Sequence, residues 1–137
     1  MALVDRHDPS KRSLRVLIID GHDISRAACA ALLRTEGLDV VDIRPGRNAL
    51  AVARSLQPHV VLIDRPPGAD GVEMLARALH TLRRAPAVVL TSSDDPDRLR
   101  CGLAELPFVT KADICAAAIL HAIAPGQDEL ARARGSE

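Results

Sequence analysis

Four short apolar runs, each closing on one polar residue, constrain this chain more than any other feature. His59-Val60-Val61-Leu62-Ile63 leads into Asp64, and Val16-Leu17-Ile18-Ile19 into Asp20. Ala87-Val88-Val89-Leu90 leads into Thr91, and Pro107-Phe108-Val109-Thr110 into Lys111. Runs this short and this rich in β-branched side chains read as strands apolar on both faces. Such strands need cover above and below, which a parallel sheet obtains from its crossover helices. The carboxyl ends of parallel strands share one edge, and ligands of open α/β sheets bind there. Two carboxylates, a hydroxyl and an ammonium are thereby delivered to a single rim.

The intervening segments carry helical spacing. The first strand, about Arg15 to Ile19, turns at Asp20-Gly21-His22, and Asp23 is placed to cap the first helix. Ile24, Ala28, Ala31 and Leu32 fall on one side of that helix, read as the inward one. Gly37 ends it, and Leu38 to Ile43 is the second strand. A helix from about Asn48 to Leu56 stops at Gln57-Pro58. The segment Arg65 to Gly71 is a rigid, helix-incompatible loop, followed by a helix with Val72, Leu75, Leu79 and Leu82 inward. Arg83 and Arg84 suit the C-terminal end of that helix. A fourth helix is predicted over about Asp97 to Leu106 and a fifth over roughly Ile114 to Ile123, capped by Asp113. Strict alternation of this kind predicts an α/β fold, a three-layer, doubly wound, parallel five-stranded sheet. Residues 1–13 read as a flexible arm, 14–125 as the domain, and 126–137 as a tail or the start of a linker.

Composition narrows the partners. The 137 residues are 47% hydrophobic with 18 basic and 18 acidic side chains, so no basic field attracts nucleic acid. Phe108 is the only aromatic residue, which leaves no platform for stacking bases. No direct nucleic-acid contact by this chain is expected. Cys29, Cys101 and Cys115 show no metal or redox spacing and read as small hydrophobes in a reducing compartment. With no apolar run long enough for a membrane span and no signal-peptide pattern at residues 1–13, the expected setting is cytoplasmic, away from any membrane.

The ordered set Asp20, Asp64, Thr91, Phe108 and Lys111, spread over five βα units, resembles the receiver domain of two-component response regulators. The stretches "HDISRAACAALLRTEG" and "DGVEML" resemble the branch of that family with helix-turn-helix output. The resemblance covers about Leu14 to Ala124. It implies a flavodoxin-like (βα)5 fold with strand order 2-1-3-4-5. It also implies that Asp64 accepts a phosphoryl group from a phosphohistidine on a histidine kinase. Lys111 and Thr91 would assist at the phosphoryl group, Phe108 would switch with Thr91, and Asp20, Asp64 and the backbone carbonyl of Pro66 would hold Mg²⁺.

The sequence also departs from that pattern. The family has two adjacent acids after its first strand, whereas this chain has Asp20-Gly21. Mg²⁺ binding is expected to be weak or absent as a result. Pro66-Pro67 lies in a loop one residue shorter than usual, and the interval from Thr91 to Lys111 is about two residues short. Two readings stay open. One is a receiver with weakened, Mg²⁺-dependent phosphorylation that regulates transcription through an output domain or partner. The other is a phosphorylation-independent pseudo-receiver that binds a ligand, a protein or a second copy of itself. Neither G-x-G-x-x-G nor G-x-x-x-x-G-K-[ST] occurs. Nothing pairs a base with a turnover nucleophile beyond Asp64, so the chain is not read as an enzyme. The apolar fifth helix, with Ile114, Ala118 and Ile123, suggests a homodimer surface. His22 reads as a solvated loop histidine.

Overall fold

The computed structural model describes residues 14–46, 48–64, 70–92 and 106–124. Five parallel strands stand in the order β2-β1-β3-β4-β5: β1 Arg15–Ile19, β2 Asp39–Ile43, β3 Val60–Asp64, β4 Ala87–Ser92 and β5 Phe108–Thr110. Helices α1 (Asp23–Thr35), α2 (Ala49–Leu56), α3 (Asp70–His80) and α4 (Ala116–Ile123) fill the intervals among the described residues. This is the three-layer, doubly wound architecture the alternating pattern predicts. Residues 97–105 of the predicted fourth helix, residues 65–69 of the predicted loop with Pro66 among them, the N-terminal arm and the C-terminal tail lie outside the described residues, while Asp70 and Gly71, read as the end of that loop, open α3.

Period-two alternation sorts the apolar strand residues into two cores, one on each face of the sheet. Val16, Ile18, Val60, Leu62 and Val89 pack with Ala30 and Leu33 of α1 and Ala116 and Ile119 of α4. Leu17, Ile19, Val61, Ile63 and Leu90 pack with Ala49 and Ala53 of α2 and Ala76 and Leu79 of α3. Every residue of β3 is buried, as befits the middle strand.

Three helical details correct the sequence reading. The inward face of α1 is not Ile24, Ala28, Ala31 and Leu32. Ala30 and Leu33 are buried, while Ile24 is 87% exposed and Leu32 45%. The helix is turned so that Arg26, whose side chain is only 16% exposed, faces the sheet edge, where it donates to the Asp20 carbonyl and the Asp42 carboxylate. Asp23 does not cap α1. His22 holds the N-cap position without a side-chain bond, and Asp23 instead pairs with Arg26 (3.0 Å) and Arg44 (3.3 Å). Asp113 does not cap α4 either, because its carboxylate accepts from the Thr110 hydroxyl. Cys115 is the N-cap, its Sγ accepting from the Ala118 amide, and the Glu36 carboxylate accepts the Ala116 amide at 2.8 Å. Of the three positions offered for self-association, Ile114 is buried, while Ala118 and Ile123 are partly buried against the same core. Arg83 and Arg84 fall beyond the end of α3.

Candidate functional site

The parallel register sets the rim. β1 and β3 run side by side with Ile19 opposite Ile63, so Asp20 and Asp64 emerge next to each other. β3 pairs with β4 with Asp64 opposite Thr91, and β4 with β5 with Thr91 opposite Val109. Lys111 leaves the end of β5 as the first residue of a 3-10 turn, Lys111–Asp113. Thr91 lies inside β4, one residue before the strand ends.

These residues meet. Lys111 Nζ lies 3.0 Å from Asp20 Oδ2 and 3.0 Å from Asp64 Oδ1. Asp20 (4% exposed), Asp64 (9%) and Thr91 (4%) are all buried. Asp20, Thr91 and Lys111 also line a cavity of about 190 Å³ together with Ile18, Ser25 and Leu62. Two carboxylates against one ammonium leave a single net negative charge. Phe108 is half-buried and packs with the α2–α3 core, opposite Leu90 in the register.

Asp20 is fixed by its neighbours. Its Oδ1 accepts the His22 amide at 2.8 Å, its Oδ2 accepts the Ser25 hydroxyl at 2.9 Å, and its carbonyl accepts Arg26 at 2.8 Å. Burial pushes its pKa up, but the His22 amide, Lys111 and Ser25 more than offset this and hold it below the usual carboxylate value. Burial likewise pulls Lys111 down, yet its bonds to Asp20 and Asp64 leave it above the ordinary lysine value. Both groups are therefore charged at neutral pH. Cys29, beside this cavity, is pushed up to about 11 by burial and the nearby Asp20 charge.

His22 is solvated, as the sequence reading expects, and its ring also faces the two acids. Its side chain is 69% exposed, yet Nδ1 lies 3.5 Å from Asp20 Oδ1 and 3.5 Å from Asp64 Oδ2. Among the described residues, Asp20, His22 and Asp64 each place one ligand atom within 4.8 Å of the others. Sequence reasoning also passed over Ser25 and Arg26. Their spacing of five and six residues from Asp20 puts them on the first turn of α1, facing back at the strand end.

A family model described as the response regulator receiver domain matches residues 16–106. This chain belongs to that family. The receiver is 37% identical over 87 residues to the response regulator GacA of Pseudomonas aeruginosa, covering 61% of this chain and 41% of GacA. It is 33% identical over 90 residues to the DNA-binding response regulator MtrA of Mycobacterium tuberculosis, covering 65% and 39%. The chain thus spans about two fifths of the length of the curated relatives it matches. Among solved structures it is similar to the signal receiver domain of NarL from Mycobacterium tuberculosis, with TM-score 0.61 and 28% identity over 80% of this chain and 92% of that one. It also shares its fold with the pseudo-receiver domain of CikA, with TM-score 0.61 and 21% identity over 82% and 96%.

The donor set decides how well Mg²⁺ suits this receiver. Two buried carboxylates are hard oxygen donors of the kind Mg²⁺ takes, but the position after Asp20 offers no third. Backbone geometry does not demand Gly21. A Cβ built there meets only Pro45, at 3.6 and 3.7 Å, in ordinary contact. Gly21→Asp should therefore fold normally and tighten Mg²⁺ binding roughly tenfold or more by adding one charged oxygen ligand. A calorimetric titration checks this, and an unchanged Mg²⁺ affinity counts against the account of the missing acid.

Proposed function

We propose that this receiver accepts a phosphoryl group on Asp64 from a histidine kinase and regulates transcription through an output domain or partner. The observation that supports it most is Lys111 Nζ standing 3.0 Å from both buried acids, with Thr91 in register beside Asp64. An Asp64 oxygen attacks the phosphorus of the kinase phosphohistidine. The new O–P bond forms as the P–N bond breaks, and the electron pair stays on the departing imidazole, which takes up a proton. Lys111 offsets the charge on the acyl phosphate, and the Thr91 hydroxyl donates to a phosphoryl oxygen. Mg²⁺, held by Asp20 and Asp64, would supply the further positive charge that two anionic reactants need. The output reading draws on MtrA, whose name describes a DNA-binding regulator. Phe108, one residue before the register partner of Thr91, would carry the change to the β4–β5 edge.

Two observations favour the second reading, a phosphorylation-independent binding module. Gly21 leaves the pocket one acid short, and Lys111 already bridges the two acids that remain. Incubation with acetyl phosphate and Mg²⁺, followed promptly by intact mass measurement, separates the two. A single phosphate adduct that disappears in Asp64→Asn is the expected result. No adduct even at high Mg²⁺ overturns the phosphoryl reading and leaves the binding module.

A further inference from the structure

The two acids divide their oxygens between two partners. Lys111 takes Asp20 Oδ2 and Asp64 Oδ1, each at 3.0 Å. His22 Nδ1 faces the other pair, Asp20 Oδ1 and Asp64 Oδ2, each at 3.5 Å. A cation at the His22 corner therefore meets one nitrogen and two carboxylate oxygens without displacing the ammonium.

We infer that this corner is a site for a borderline divalent transition metal, Zn²⁺ or Co²⁺ in preference to Mg²⁺, held by Asp20, His22 and Asp64. The inference rests on reading Asp20 and Asp64 as the metal-holding acids of the receiver. Three observations carry it. The first is ligand chemistry: imidazole suits zinc, copper, iron and nickel, whereas Mg²⁺ takes oxygen donors. The second is spacing. Adjacent ligands on a tetrahedral metal with bonds near 2.1 Å lie about 3.4 Å apart. Around octahedral Mg²⁺ they lie about 2.9 Å apart. The two 3.5 Å separations of His22 Nδ1 are close to the first figure, and the three ligand atoms all lie within 4.8 Å of one another. The third is organisation. The His22 amide and Ser25 hydroxyl already orient Asp20, and Lys111 orients both acids, which is the supporting shell that tunes a metal site. Three protein ligands leave a fourth position open to water or to a phosphoryl oxygen. The imidazole thus stands in part where the missing acid would act, with a different metal preference.

The test uses the full chain without any phosphodonor. Zn²⁺ and Mg²⁺ are titrated by calorimetry, and Co²⁺ by its visible absorption, which is intense for tetrahedral and faint for octahedral coordination. Zn²⁺ is expected to bind one site roughly 100-fold tighter than Mg²⁺, following ligand type and the metal affinity order. His22→Ala, at an exposed side chain, should weaken Zn²⁺ about tenfold or more and abolish the intense Co²⁺ bands, with a much smaller change in Mg²⁺ affinity. Asp64→Asn should weaken both metals. The inference is overturned if His22→Ala leaves the Zn²⁺ isotherm intact, which places the zinc elsewhere, or if Mg²⁺ binds as tightly as Zn²⁺. Phosphate uptake by intact mass is read separately with Mg²⁺. A lost adduct with retained zinc selectivity, or the reverse, tells failure of one reading from failure of the other.

Discussion

Lys111→Ala is expected to slow phosphate uptake roughly 100-fold or more and to change how stability depends on pH. The kinetic effect follows from removing the only ammonium that faces Asp64 among the described residues. The stability effect follows from what is left behind. Two carboxylates with side chains 5% and 6% exposed lose their shared counter-charge. Breaking a buried pair from one side costs about 3 kcal/mol, because the remaining charge is desolvated and unpaired. In the intact protein, Asp20 has a folded pKa below its ordinary 3.8, so its contribution is present above that value and is lost only as pH falls through the lower folded one. Lys111 has a folded pKa above its ordinary 10.5, so its contribution is present below 10.5 and is lost as pH rises through the higher folded one. Neither window touches the neutral range, and stability there should be flat with respect to this pair. In the variant, two like charges share one pocket and a carboxylate pKa rises. A group with a raised folded pKa stabilises more as pH falls, so Lys111→Ala should gain stability relative to the parent as pH falls from neutral toward the ordinary carboxylate value. Urea denaturation at a series of pH values measures it. A variant whose stability runs parallel to that of the parent over this range would show that the acids are not electrostatically coupled.

The strands were legible because each apolar run has to be buried on both faces, and that requirement fixed their limits to within a residue or two. β1 and β5 fall where the pattern places them, while β4 continues through Thr91 to Ser92. The face of α1 was not legible. Ile24, Ala28, Ala31 and Leu32 form an apolar stripe as good as the true one, and alanine-rich helices carry little periodic contrast. What turns the helix is polar. Arg26 is drawn to the Asp20 carbonyl and the Asp42 carboxylate, and Leu33 follows it inward. No hydropathy pattern encodes a bond between an arginine and a residue sixteen positions later. The N-cap of α4 failed for a similar reason. Asp113 has the preferred chemistry, but Thr110 holds its carboxylate, and Glu36, eighty residues upstream, reaches the Ala116 amide.

At the site, strand-end position was enough to bring Asp20, Asp64, Thr91 and Lys111 together, because parallel register converts sequence ends into spatial neighbours. His22 was read as solvated, and by exposure it is. What the reading missed is the direction of Nδ1 toward both acids, which depends on the Asp20-Gly21-His22 turn closing so that the His22 amide meets Asp20 Oδ1. A sequence shows that a histidine is close along the chain to an acid, not which way its ring faces.

The orientation of α1 gives the last expected result. Leu33→Ala should cost about 3 to 4 kcal/mol, and Leu32→Ala, one position away, about 1 or less. Leu33 is fully buried against the first core, which holds Val16, Ile18 and Val40, and its truncation leaves a cavity where strands and helix cannot both close in. Leu32 stands 45% exposed at the rim of the cavity that Asp20, Thr91 and Lys111 line, where alanine loses only part of a side chain's contacts and is the better helix former. Both substitutions change helix propensity equally, so their difference isolates burial. For a domain of this size, roughly 3 to 5 °C of melting temperature accompanies each kcal/mol, so Leu33→Ala should melt about 10 to 20 °C lower. Thermal denaturation of the pair decides it. Equal losses, or a larger loss at Leu32, would mean that α1 presents the Ile24–Ala28–Ala31–Leu32 stripe to the sheet after all. Arg26 and Ser25 would then point away from Asp20, and the polar clamp on the pocket would not exist.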